Sequence, residues 1–219
     1  AYFLASAGEA ELPRLAALLL GGAQKRLARD SATALLRLGD EAAGPPAARY
    51  ADAALLLDEA KQRELAAVDS ARVFAAPGSA GEKLLGIVRE CVHTLAIALG
   101  VGFDAFHQQL TGTKGALALS PEEKAANEQV PEWTVPLAES LEKLREQPDE
   151  RGRDGLHRFY AFEVLNLIDG RRTVLDIYRR VRAAALAAGE WYYGPVELAK
   201  VKEELELSLI HISEPTRPY

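Results

Sequence analysis

Five side chains carry the chemistry that this sequence could offer most directly: Cys91 and the histidines His93, His107, His157 and His211. A catalytic zinc takes three protein ligands, drawn from His, Cys, Asp and Glu. Cys91 and His93 lie two apart on a helical pattern, a spacing that points them to different faces. No His-Glu-x-x-His pattern exists to supply two ligands and a base from one face. Cys91 sits among Val88, Val92 and Leu95, which predicts a buried, unreactive thiol. The stretch Thr111-Gly112-Thr113-Lys114-Gly115 has the composition of a phosphate loop. It lacks the order Gly-x-x-x-x-Gly-Lys-Ser/Thr, and no strand pattern precedes it. No Gly-x-Ser-x-Gly nucleophile elbow occurs. No catalytic, cofactor-binding or metal-ligating residue is therefore assigned, and no cofactor is expected in this chain.

Charge adds one more candidate. Residues 151–200 carry nine Lys/Arg against six Asp/Glu, whereas residues 1–150 carry fifteen against twenty-two. The basic excess includes Arg171, Arg172, Arg179, Arg180 and Arg182, around a helix-turn-helix pattern, which is the electrostatic footprint of a DNA reader. Asp176, however, stands at the start of the second helix, where base contacts are made. A packing module with a solvated arginine face is the preferred reading, and nucleic acid is not an expected partner.

The elements that would position these residues are helical. Ala and Leu dominate, and both lose little freedom in a helix. Tyr2 to Ala7 reads as the last turns of a helix ended by Gly8. A long helix is predicted from Glu9 to about Ala43, with Pro13 in its first turn. Gly21-Gly22 is a candidate kink, and Gly44-Pro45-Pro46 is the stop. A second helix is expected from Ala47 to Ala75 on Leu55, Leu56, Leu65, Val68 and Val73. A third is expected from Glu82 to Leu99 on Leu84, Leu85, Val88, Val92, Leu95 and Leu99. Residues 9–110 thus form a helical bundle.

Residues 111–155 read as an irregular linker with short helices. Ser120-Pro121-Glu122-Glu123 starts one of them, and Leu137 to Glu146 forms another. A helix over Leu156–Ile168 presents Phe159, Phe162, Leu165 and Ile168 on one side. Asp169-Gly170-Arg171-Arg172 turns the chain, and Thr173 with Asp176 has capping-box spacing. Val174–Ala188 is the next helix, then come an extended Trp191-Tyr192-Tyr193 and a last helix over Val196–Glu206. The fold class is all-α, a bundle followed by a helix-turn-helix unit. A single cysteine excludes an internal disulfide. No uninterrupted apolar run reaches the roughly 20 residues of a membrane span.

Both ends read as foreign to a complete protein. The chain opens in mid-pattern and contains no Met. Residues 207–219 are expected to be a non-native tail, because Leu207 to Arg217 is similar to a translated transposase-type sequencing adapter. His211 is excluded as a ligand for that reason.

Ala1-Tyr2-Phe3-Leu4-Ala5-Ser6-Ala7-Gly8 resembles the closing helix of the catalytic domain in bacterial di-zinc aminopeptidases, the glutamate carboxypeptidase-like exopeptidases. Long members carry a helical extension that ends in a segment similar to Phe162-Glu163-Val164-Leu165-Asn166-Leu167-Ile168-Asp169-Gly170-Arg171-Arg172-Thr173-Val174-Leu175-Asp176-Ile177. Gly189-Glu190-Trp191-Tyr192-Tyr193-Gly194-Pro195-Val196 is also similar to the next segment of those long members. The Leu-Ile-Asp-Gly-Arg-Arg-Thr-Val core further resembles small winged-helix modules that bind peptides. Residues 156–206 are accordingly expected to be a winged-helix-like unit, truncated before its wing. The resemblance implies a non-catalytic C-terminal accessory part of a zinc exopeptidase, secreted or in the cell envelope. Zinc, the catalytic residues and the peptide substrate would belong to an upstream domain, of which residues 1–8 are the end. A peptide- or protein-binding helical module without enzymatic parentage is the alternative, and a DNA-binding protein the third.

Overall fold

A computed structural model of the chain describes residues 9–133, 156–189, 194–207 and 210–213. The fold is all-α, with seven α-helices and one short two-stranded sheet among the described residues. The chain divides into two compact units, Ala1–Ala116 and Leu117–Tyr219. The expected helices over Tyr2–Ala7 and Leu137–Glu146, and the extended Trp191–Tyr193, lie outside the described residues.

The first unit is three helices: α1 (Leu12–Gly39), α2 (Pro46–Ala71) and α3 (Ala80–Thr111). Pro46 opens α2 at a position where a missing N–H costs nothing. Ser79 caps α3 by accepting the Glu82 N–H at 3.1 Å. Leu12, Leu27, Val68, Leu85, Val88 and Val92 form the core, with Ala16, Ala23 and Ala60 between them. The small alanines let the helix axes approach, and the larger residues fill the space between. α1 runs without interruption through Gly21-Gly22.

Three features of this unit differ from expectation. α3 does not stop at Leu99 but continues through Gly100 and Gly102 to Thr111, ended by Gly112 at φ 71°. A glycine in mid-helix costs about 1 kcal/mol, and the next turns recover that by burying Phe103 and His107. This longer α3 is, by length and composition, one helix capable of crossing a membrane, a feature hidden when the helix is divided at Gly100. Val73 is 78 % exposed. It lies in a 3-10 turn, Arg72–Phe74, where the 3.6-residue phase of α2 is lost. Cys91 is exposed, not buried. Val88 and Val92 face the core, and Cys91 lies on the other side of the same helix.

The second unit contains α4 (Pro121–Asn127), β1 (Val130–Trp133), α5 (Arg158–Asn166), α6 (Val174–Ala188), α7 (Leu198–Leu207) and β2 (Ile210–Ser213). Capping boxes start α4 (Ser120 with Glu123) and α6 (Thr173 with Asp176). Tyr160, Val164, Ile168, Val174, Ile177, Val181, Val201 and Leu205 make the core. Ala126 and Leu119 pack into that core, and the Val174 N–H donates to the Gln129 carbonyl at 2.8 Å. The stretch from Leu117 to Trp133 therefore belongs to this unit and is not linker.

Phe159 and Phe162 do not face inward; they are 47 % and 56 % exposed. The buried side of α5 is Tyr160, Ala161, Val164 and Leu165. Spacing by threes placed Phe159 and Phe162 with Leu165 and Ile168; the latter two are buried, and the phase set by the core turns the two phenylalanines outward. Part of the tail takes up regular structure. Ile210–Ser213 pairs antiparallel with β1, Val130 opposite Ser213 and Trp133 opposite Ile210. Alternating β-branched residues beside an edge strand are sufficient to form such a ladder, whatever the origin of the segment.

Candidate functional site

One polar cluster of the first unit lies where the start of α2 meets the end of α3. The Tyr50 hydroxyl donates to Asp104 Oδ1 at 2.8 Å. Its ring stacks on Phe103 at 5.3 Å and packs against the His107 imidazole at 4.5 Å. His107 is buried, and its Nδ1 has no hydrogen-bond partner among the described residues. Gly115 returns over the Tyr50 ring so closely that a Cβ there would overlap it. Phe103, His107 and Thr111 recur at intervals of four, so one helical face delivers them.

Burial, and then the bond to Asp104, push the Tyr50 phenol up to about 12. A phenol so placed holds its proton at neutral pH and is a poor acid-base catalyst there. The raised value stabilises the fold fully below the ordinary tyrosine range near 10. That contribution is lost as pH rises through about 12. Spectrophotometric titration of the seven tyrosines is expected to show a late fraction that Tyr50→Phe removes. A Tyr50→Phe titration curve with the same late fraction would contradict the assignment.

A second polar cluster joins α1 to α2. Arg26 binds Glu64 with two hydrogen bonds, at 2.8 and 2.6 Å. Arg63 bridges Asp30 at 2.6 Å and Glu64 at 3.2 Å. Burial pushes the Glu64 carboxyl up, but Arg26 and Arg63 together outweigh it and hold it below its ordinary value. Every charge in this cluster has its counter-charge, which is the arrangement of a structural network.

The residues singled out in sequence do not converge. Cys91 is exposed while His93 is half-buried, and no group of three His, Cys, Asp or Glu able to hold a metal occurs among the described residues. His157 caps α5, its Nδ1 accepting the Phe159 N–H at 3.2 Å. The phosphate-loop-like stretch is the C-terminal cap of α3: Thr111 Oγ1 donates to the His107 carbonyl at 2.9 Å, and Gly112 is left-handed. A helix C-terminus carries partial negative charge, the wrong end for phosphate. The arginines around the helix-turn-helix are partly engaged internally. Arg182 donates to the Val196 carbonyl at 2.7 Å and Arg172 to the Leu167 carbonyl at 3.1 Å. Sequence reading missed Tyr50 and Asp104 because they stand 54 residues apart. The available signal was the helical spacing of Phe103, His107 and Thr111, visible only once α3 is carried past Gly100.

No family model matches the chain, and no curated protein and no solved structure is detectably similar to it.

Proposed function

We propose that this chain is a non-catalytic accessory part of a zinc-dependent exopeptidase, an aminopeptidase releasing residues from peptides, and that it acts by packing against a partner domain. The observation that carries this reading is the use made of the polar groups in the family-like stretch Phe162–Ile177. Asp169 Oδ1 accepts the N–H groups of Arg171 and Arg172 at 3.0 and 2.9 Å. Arg172 closes the same turn onto the Leu167 carbonyl, and Thr173 and Asp176 cap α6 reciprocally. These side chains make the shape of a turn and leave a module whose role is steric. On this reading the second unit is winged-helix-like. Two helices meet at the Gly170 turn and a third comes after them.

Zinc and peptide chemistry belong, in this proposal, to the upstream domain, and no described residue is assigned to either. Two measurements test it. Aminoacyl chromogenic substrates with added zinc are expected to show no turnover by the purified chain; hydrolysis above a heat-killed control would refute the non-catalytic role. The coding DNA upstream of the Ala1 codon is expected to encode the His, Asp and Glu ligands of a di-zinc site. A start codon or an unrelated domain there would refute the parentage. The exposed Phe159 and Phe162 favour, as the second reading, a protein-binding module without that parentage.

A further inference from the structure

α3 is anchored in two places. Leu85, Val88 and Val92 belong to the core built with Leu12, Leu27 and Val68. Phe103 and His107 lie outside that core and pack against Tyr50, at ring distances of 5.3 and 4.5 Å. Between Val92 and Phe103 no side chain of α3 is fully buried. Leu95, Ala96 and Leu99 touch the core while partly exposed. From Val101 to Leu110 every residue except Phe103 and His107 is exposed.

Gly100 and Gly102 fall in the gap between the two anchors. A Cβ at either would meet no atom within 4 Å, and neither has a positive φ. Packing and backbone conformation therefore do not call for glycine there. What the two glycines change is the helix itself, which each weakens about fivefold relative to alanine. Gly86 is equally open, but the buried Leu85 and Val88 flank it and hold the helix on both sides. The stretch after Gly102 is also poor in helix formers, since Phe103, Asp104, Phe106, His107 and Thr111 all rank low. About three turns of such a sequence are not stable in water without packing.

Tyr50 holds this last part of the helix and the chain that follows it. Its hydroxyl donates to Asp104 Oδ1 at 2.8 Å. Gly112 ends α3 at φ 71°, and the strap beyond it brings Gly115 over the Tyr50 ring, where a Cβ would overlap the ring atoms.

We propose that residues 101–116 are a latch, closed on Tyr50 and hinged at Gly100–Gly102, which opens while the rest of the first unit stays folded. On opening, the last third of α3 unwinds and Tyr50, Phe103 and His107 enter water. The place of the latch in the chain gives it a use. The first unit ends at Ala116 and the second begins at Leu117, so the latch is the last part of the first unit before the join. Each residue that leaves the helix extends the connecting chain from about 1.5 Å to as much as about 3.3 Å. The latch thus sets the length of the tether between the units.

Native-state hydrogen exchange of the full chain tests the proposal. Amides of residues 103–111 are expected to exchange at least about 100-fold faster than those of 84–96, relative to their intrinsic rates, as a locally opening segment does. Gly100→Ala with Gly102→Ala is expected to slow exchange over 103–111 about 25-fold and to leave 84–96 unchanged. Gly86→Ala is the control, because it strengthens the same helix away from the hinge and should leave 103–111 unchanged. Tyr50→Phe removes the bond to Asp104 and is expected to speed exchange over 103–111 about tenfold, again without effect on 84–96. Equal protection of the two segments in the wild type would overturn the latch. So would a double alanine variant that slows both segments alike or neither, a Gly86→Ala chain in which 103–111 slows as much, or a Tyr50→Phe chain with unchanged exchange over 103–111.

Discussion

Leu85→Ala is expected to lower the stability of the first unit by about 3–4 kcal/mol, within the usual range for truncating a buried leucine. Leu85 is fully buried at the centre of the α1–α2–α3 core, beside Val88 and Val92. Truncation removes apolar transfer energy and leaves a cavity that three long helices cannot readily collapse to fill. The core of the second unit shares no residue with this one, and sites without shared partners behave independently. Hydrogen exchange should therefore show protection falling over residues 12–111 and holding over 156–207. A loss below about 1 kcal/mol, which is typical of partly exposed positions, would show that Leu85 is not where the core is densest.

Gly170→Val is the corresponding test of the second unit, with an expected loss of about 1–3 kcal/mol. Gly170 has φ 68°, between the end of α5 and the cap of α6. A β-branched residue is a steric outlier in that region. Space is not the cause, because an added Cβ would meet Glu132 Cγ at 3.6 Å, an ordinary contact. The cost is therefore conformational, and Gly170→Asn separates the two explanations. Asn tolerates the left-handed region, so it should lose much less than Val. Equal losses would point to crowding. If protection fell in residues 12–111 as well, the two cores would not be independent.

What the sequence by itself determined is local. The cap at Ser120 with Glu123, the cap at Thr173 with Asp176, the proline start at Pro121, and the Gly170 turn are all legible. Each depends on a hydrogen bond or a φ value within about four residues, so neighbours in sequence are sufficient to specify it. Helical class is legible for the same reason, since alanine- and leucine-rich periodicity is read within a turn or two.

Only the tertiary structure decided which side of each helix is buried and where α3 ends. α3 is apolar nearly all round, so periodicity alone does not say whether Cys91 or Val92 faces inward. Its course through Gly100 is favoured by the burial of Phe103 and His107 beside Tyr50. α5 turns Tyr160 and Val164 inward, instead of Phe159 and Phe162, because Val174, Ile177 and Val181 fix the phase. The Tyr50–Asp104 bond and the β1–β2 ladder join residues tens of positions apart. Such contacts form only when the rest of the chain has already brought their ends together, and no local pattern records that geometry.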